Sequence, residues 1–220
     1  MAEPPVTLFV GPTAHSWPRA HLLRSVTRLR PPVRRGDIDP LVAEEEPGVL
    51  VICDGVFKSA PAVSHAEIAR ALDAGWQVWG VSSMGAIRAH EMRREGMRGF
   101  GWVYRQFARY PDFADDEMCL LHLPEEPYLP LSVPLVNLRY ALEQRGCALG
   151  LTTSRQKRLI AALRQLWFAE RDLHRVRSLL LGQAGLDQAA ADSLLKWMEQ
   201  HPIKTLDLDS LLQQRPWFNC

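Results

Sequence analysis

The sequence predicts an α/β fold: a Rossmann-like parallel sheet with helices on both faces, followed by an all-helical carboxyl-terminal segment. Three observations support this. Val49-Leu50-Val51-Ile52-Cys53 is continuously apolar, the pattern of a strand covered on both faces. Short apolar runs alternate with helical stretches from Val6 to Glu91, as in the βα units of a parallel sheet. From Thr153 onward the chain reads as helical throughout, with apolar spacing such as Leu159, Leu163, Leu166. The expected division is an α/β core over residues 1–150 and a helical appendage over 151–220.

Val6 to Val10 is the first expected strand, ended by Gly11-Pro12-Thr13. A helix is expected over Arg19 to Arg28, closed by Pro31-Pro32. Arg30-Pro31-Pro32-Val33-Arg34-Arg35-Gly36-Asp37-Ile38 then reads as a loop that two prolines stiffen. Its three arginines, Arg30, Arg34 and Arg35, are either solvated or a surface for an acidic partner. The strand at Val49 ends in Asp54-Gly55. The next helix opens at Ser64-His65-Ala66-Glu67, a capping box, and stops at Gly75.

The third strand, Gln77 to Val81, leads straight into Ser82-Ser83-Met84-Gly85 and a helix. Two hydroxyls at a helix start meet unpaired backbone N–H groups and the positive end of the helix dipole. An anion or a developing oxyanion is stabilised there; alternatively one serine is only an N-cap. Ligands of parallel sheets bind outside the carboxyl ends of the strands. Those ends carry Thr13, Asp54 and Ser82/Ser83, with His65 near the same edge.

Gly96 to Gly101 is a glycine-rich turn into a helix over Trp102 to Tyr110, without the spacing of a phosphate cradle. Asp112 to Asp116 reads as an acidic loop and Glu117 to Leu123 as a further strand. Asp115, Asp116, Glu117 and His122 read as solvated or core groups in preference to metal ligands. Ser132-Val133-Pro134 opens another helix.

A formal net charge of +1 gives no general attraction to nucleic acid or an anionic membrane. Cys53, Cys119, Cys147 and Cys220 are scattered, without disulfide or zinc spacing, which fits a reducing, cytoplasmic setting. Met1-Ala2-Glu3-Pro4-Pro5 is unlike a signal peptide, and no apolar run approaches the roughly 18 residues of a membrane span.

Taken together, several stretches resemble the TfuA-like family. They are Gly11-Pro12-Thr13, Arg30 to Ile38, Asp54-Gly55-Val56-Phe57, Ala62 to Ile68, Ser82 to Glu91, Gly96-Met97, Asp115-Asp116-Glu117 with His122, and Ser132 to Arg139. The similarity covers about residues 8–140 and leaves the helical third outside. Ile87 and His90 depart from it, Leu and a small residue being usual there.

The resemblance implies a partner of YcaO-type enzymes in peptide backbone thioamidation, with no cofactor of its own. It would hydrolyse a thiocarboxylated, ubiquitin-like sulfur carrier and deliver the sulfide to YcaO. The alternative is a non-catalytic adaptor that docks the carrier and stimulates YcaO. Acyl–sulfur hydrolysis needs a nucleophile, a base and an oxyanion site. Ser83-Met84-Gly85 is half of a nucleophile elbow, since Val81 stands where the first glycine would be. The expected catalytic set is Ser83 as nucleophile, His65 as base and Asp54 as its orienter. Oxyanion or substrate contacts are expected from Ser82, Met84, Gly85, Thr13 and Arg88, and partner contacts from Arg30, Arg34 and Arg35. Activated water, with the serines only binding the carrier's terminus, remains an alternative.

Overall fold

The computed structural model describes residues 3–56 and 60–219. Met1, Ala2, Phe57 and Cys220, named above, lie outside the described residues. Five parallel strands, β1 (Val6–Phe9), β2 (Arg28–Arg30), β3 (Val49–Ile52), β4 (Gln77–Val81) and β5 (Arg98–Phe100), form one sheet in the order β2-β1-β3-β4-β5. The three strands expected from the sequence are its centre, with Val6 opposite Val49 and Val49 opposite Gln77. The two edge strands were not expected. Each has three residues, two of them arginines in β2, too few and too polar to show a period of two.

Helices cover both faces, because successive side chains of a strand point to opposite sides. On one face Leu8, Val49, Val51 and Val81 pack with Leu22 of α1 (Arg19–Leu22) and with Leu208 and Leu211 of α10 (Ile203–Gln214). On the other, Leu50, Ile52 and Val78 pack with α2 (Ile38–Glu44), α3 (His65–Asp73) and α4 (Met84–Glu91). Helix α5 (Gly101–Arg109) follows β5. The capping box at α3 is formed: Ser64 Oγ accepts from Glu67 N at 3.2 Å, and Glu67 Oε2 accepts from Ser64 N at 3.0 Å. Gly75 follows with φ of +89°, a left-handed conformation that favours glycine.

The described chain divides into two compact units, and the division differs from the one expected at residue 150. The sheet unit comprises residues to Phe113, Glu126–Tyr128 and the residues from Lys204; the other unit comprises Ala114–Glu125 and Leu129–Ile203. Helix α10, expected in the appendage, belongs to the sheet unit apart from its first residue. Leu208 and Leu211 are completely buried against the strands, each contributing on the order of 1.5–3 kcal/mol.

The second unit is helical: α6 (Leu135–Arg145), α7 (Thr153–Arg164), α8 (Leu173–Gly182) and α9 (Gln188–Gln200) surround a core that includes Leu138, Leu159, Leu180 and Leu194. The strand expected over Glu117 to Leu123 is absent. Asp115–Glu117 is a 3-10 turn, and the backbone at His122 forms an isolated β-bridge with Pro130. Glu117 is instead buried in a two-pronged ion pair with Arg139, at 2.6 and 2.8 Å. The nearly fully buried Arg171 guanidinium holds the carbonyls of Leu163, Leu166 and Asp116 together with the Asp116 carboxylate. The acidic loop is thus structural at Asp116 and Glu117.

Candidate functional site

The strand–helix junction is fixed by close packing of two glycines. A Cβ on Gly80 would lie 2.0 Å from the Gly85 carbonyl oxygen, and one on Gly85 would lie 1.7 Å from the Ile52 oxygen. Helix α4 therefore starts pressed against β3 and β4. Between the glycines the chain turns sharply at Ser82, whose φ is +65°. A non-glycine residue there costs on the order of 1–2 kcal/mol and persists only where its surroundings hold it.

Ser82 is held by a hydrogen bond from its hydroxyl to the Lys204 carbonyl, at 2.6 Å. Ser83 is buried too, and its hydroxyl makes no capping hydrogen bond to α4. Its N-cap role is therefore not realised through the side chain. The Gly85 N–H, expected at an oxyanion, already donates to the Cys53 carbonyl at 3.2 Å. Among the described residues the Met84 N–H meets no acceptor, so the Ser83 hydroxyl and the Met84 N–H are the open polar groups at the helix start.

Asp54 lies at the end of β3, where a sheet of this order has its switch point between β1 and β3. Its Oδ2 accepts from the N–H groups of Gly11 and Thr13, both at 2.9 Å, and its Oδ1 accepts from Thr13 Oγ1 at 2.7 Å. The amides of the β1 loop are thus satisfied by the chain's own carboxylate. Lys204 Nζ stands 4.0 Å from Asp54 Oδ1, with both side chains nearly fully buried. Thr205 Oγ1 donates to the Thr13 carbonyl at 2.7 Å. The first turn of α10 therefore ties Thr13, Asp54 and Ser82 into one buried polar cluster. Cys53 lies beside it; burial, then the Asp54 charge, push its thiol well above the usual range, against Lys204, Thr13 and Ser82. That environment keeps the sulfur protonated and weakly nucleophilic.

The expected Ser83–His65–Asp54 triad is not assembled. Both Asp54 oxygens are committed to the β1 loop. The exposed His65 instead places Nε2 2.8 Å from Glu91 Oε2, which also accepts from Arg88 Nη1 at 2.5 Å. Burial alone would raise the Glu91 carboxyl, but hydrogen bonds from His65 and Arg88 hold it below the usual range. Arg88 Nε further donates to the Val63 carbonyl at 3.0 Å. His65 and Arg88 thus belong to a surface cluster joining α3 to α4. Arg30, Arg34 and Arg35 are exposed, as a partner surface requires; Arg34 Nε lies 3.6 Å from Asp37 Oδ1.

Lys204 and Thr205 were not singled out in the sequence. Nothing local marks them, since their partners lie more than a hundred positions earlier. Among the described residues no group of three or more His, Cys, Asp or Glu is placed to hold a metal ion, and no helix is long and apolar enough to cross a membrane.

Fold and site define a doubly wound α/β protein whose buried polar cluster joins the carboxyl ends of its three central strands. The model of the family described as "TfuA-like protein" matches residues 54–172, and the chain belongs to that family. A comparison with curated proteins found no match. The matched region starts later than the similarity seen in the sequence and runs on through α7, into the helical part that similarity had left outside. Membership supports involvement in a YcaO-associated thioamidation system, with a YcaO-type partner.

Proposed function

We propose that the protein releases sulfide from a thiocarboxylated, ubiquitin-like carrier and delivers it to its YcaO-type partner. The observation that carries this reading is the pair of open groups at the start of α4, the Ser83 hydroxyl and the Met84 N–H, on a turn fixed by Gly80 and Gly85. Ser83 is the better nucleophile, because the Ser82 hydroxyl is committed to Lys204. Its oxygen adds to the carbonyl carbon of the thiocarboxylate, and the Met84 N–H meets the developing oxyanion. The C–S bond then breaks, and sulfur leaves as hydrosulfide with the hydroxyl proton. Water cleaves the resulting ester to give the carboxylate and restore Ser83. Because the leaving sulfur takes the proton, the attack needs no histidine.

The test is sulfide release from thiocarboxylated carrier by the purified protein alone, without YcaO or ATP. Release with turnover supports the hydrolase. The adaptor reading is favoured by one feature: Thr13 and Asp54 are committed to each other and Ser82 to the Lys204 carbonyl. It requires no release by the protein alone, together with stimulation of YcaO.

A further inference from the structure

A short β-ribbon in the helical unit carries four exposed leucines. His122 pairs with Pro130 in the antiparallel sense; Leu123 N donates to the Leu129 carbonyl at 3.0 Å and Leu131 N to the Leu121 carbonyl at 2.7 Å. That register sets Leu121 opposite Leu131 and Leu123 opposite Leu129. Side chains alternate along a strand, so the four leucines share one face of the ribbon and His122 and Pro130 take the other. The exposures agree. Leu121, Leu123, Leu129 and Leu131 are 41, 42, 47 and 47% exposed, whereas His122 and Pro130 are half-buried. The second strand runs on to Val133, whose N–H donates to the Arg171 carbonyl at 2.8 Å, and Trp167 and Leu173, near Arg171 in the chain, are exposed as well.

The four ribbon leucines leave on the order of 300 Å² of apolar surface open to water, the size at which a patch on a single chain is often functional. They form a rectangle of like side chains. Turned over about a two-fold axis, a rectangle coincides with itself, so leucine meets leucine and no charge enters the contact. The formal net charge of +1 leaves little repulsion between copies. We propose that this face is the contact through which two copies of the chain associate in solution. Two such patches bury on the order of 600 Å² together, short of the roughly 1,200–2,000 Å² of a stable interface. The leucines are therefore the dry centre of a weak dimer, and the polar residues around them supply its rim. A dissociation constant on the order of tens of micromolar fits that size. The dimer is independent of the hydrolase reading.

The test is sedimentation velocity of the full chain over roughly 5–500 µM, which brackets that constant. Wild type should pass from monomer to dimer across the range. Leu123→Glu combined with Leu129→Glu sets like charges against each other in the contact and should weaken the dimer at least about tenfold, with an unchanged thermal melt because both positions are exposed. The corresponding double lysine variant should be monomeric too, and an equal mixture of the two should regain the dimer through opposite charges. Leu23→Glu, on an exposed leucine of the sheet unit, should change nothing. If the charged variants unfold, Leu121→Gln with Leu131→Gln makes the same test, with a roughly fivefold weakening expected from the apolar area lost. A wild type that stays monomeric at the highest concentration overturns the proposal. So does a dimer that the ribbon variants leave intact, or a mixture of folded variants that does not regain it. A monomeric wild type whose affinity for the YcaO-type partner falls in the ribbon variants also overturns it, and gives the face to that partner.

Discussion

Ser82 donates its hydroxyl hydrogen bond to the main-chain carbonyl of Lys204, 122 positions further along the chain. The adjacent Ser83 makes no such bond. Two neighbouring hydroxyls are thereby given different work, one holding α10 to the end of β4 and the other left open at the start of α4.

Substitutions should separate those roles. Ser83→Ala is expected to lower sulfide release by on the order of 10³-fold with little change in thermal stability. Ser82→Ala should instead cost about 1–3 kcal/mol of stability, because a buried carbonyl loses its donor. Ser82→Gly should be less destabilising than Ser82→Ala, since glycine accepts the positive φ. Single-turnover sulfide release and urea unfolding of the same preparations provide both readings. A folded Ser83→Ala protein with near-normal release would eliminate Ser83 as nucleophile.

His65 is expected to be dispensable for the chemical step. It is exposed and its described partner is Glu91, so His65→Ala should leave release within about twofold of wild type. A loss as large as that of Ser83→Ala would mean that the imidazole reaches the reacting atoms when carrier is bound.

Asp54 should behave as a structural anion. Asp54→Ala leaves the N–H groups of Gly11 and Thr13 buried without an acceptor and should cost on the order of 3 kcal/mol or more. Asp54→Asn can keep its amide oxygen on those N–H groups but turns an N–H₂ towards the Thr13 hydroxyl and Lys204 and loses the negative charge, so it should recover only part of that loss. Urea unfolding midpoints rank the three proteins; an Asp54→Ala protein as stable as wild type contradicts this role.

Asp207 on α10 gives a pH signature. Its carboxylate accepts from the N–H groups of Trp102 and Val103 at 2.7 and 2.8 Å, and burial nonetheless pushes its carboxyl from 3.8 up to about 6. The folded chain therefore holds this proton at pH values where the unfolded chain has lost it. The stability this proton contributes is fully present below about pH 4 and is lost as pH rises through about 6, on the order of 2–3 kcal/mol. Asp207→Asn lacks that slope. The stability advantage of wild type over Asp207→Asn should shrink between pH 4.5 and 7, as measured by urea unfolding; a constant or growing advantage contradicts it.

Much of the fold could be read from residues that settle their structure locally. The apolar run at Val49, the capping box at Ser64 and the Ser82–Gly85 junction each depend on near neighbours. The edge strands were hidden because β2 and β5 are defined by pairing with β1 and β4 more than by their own side chains. The site was legible in part. Thr13, Asp54 and Ser82 do meet at the carboxyl edge, as parallel topology requires. Their hydrogen-bond partners could not be read, because the side-chain type of Asp54 does not say whether it faces a histidine or a loop of amides. Lys204 was invisible for a further reason: only the return of α10 to the sheet gives it a role.

That return makes the helical unit, Ala114 onward, an insertion between α5 and α10. The sheet's Leu8, Val51 and Val81 wait for Leu208 and Leu211, which are synthesised after the whole insertion. Closing a longer loop costs little extra at equilibrium, because the entropy grows only with the logarithm of its length. Pairing so remote is slow to find, however, and leaves an apolar sheet face uncovered meanwhile. A nascent chain halted before α10 would therefore be a sticky half-sandwich, with Ser82 and Thr13 still lacking the bonds that complete the cluster.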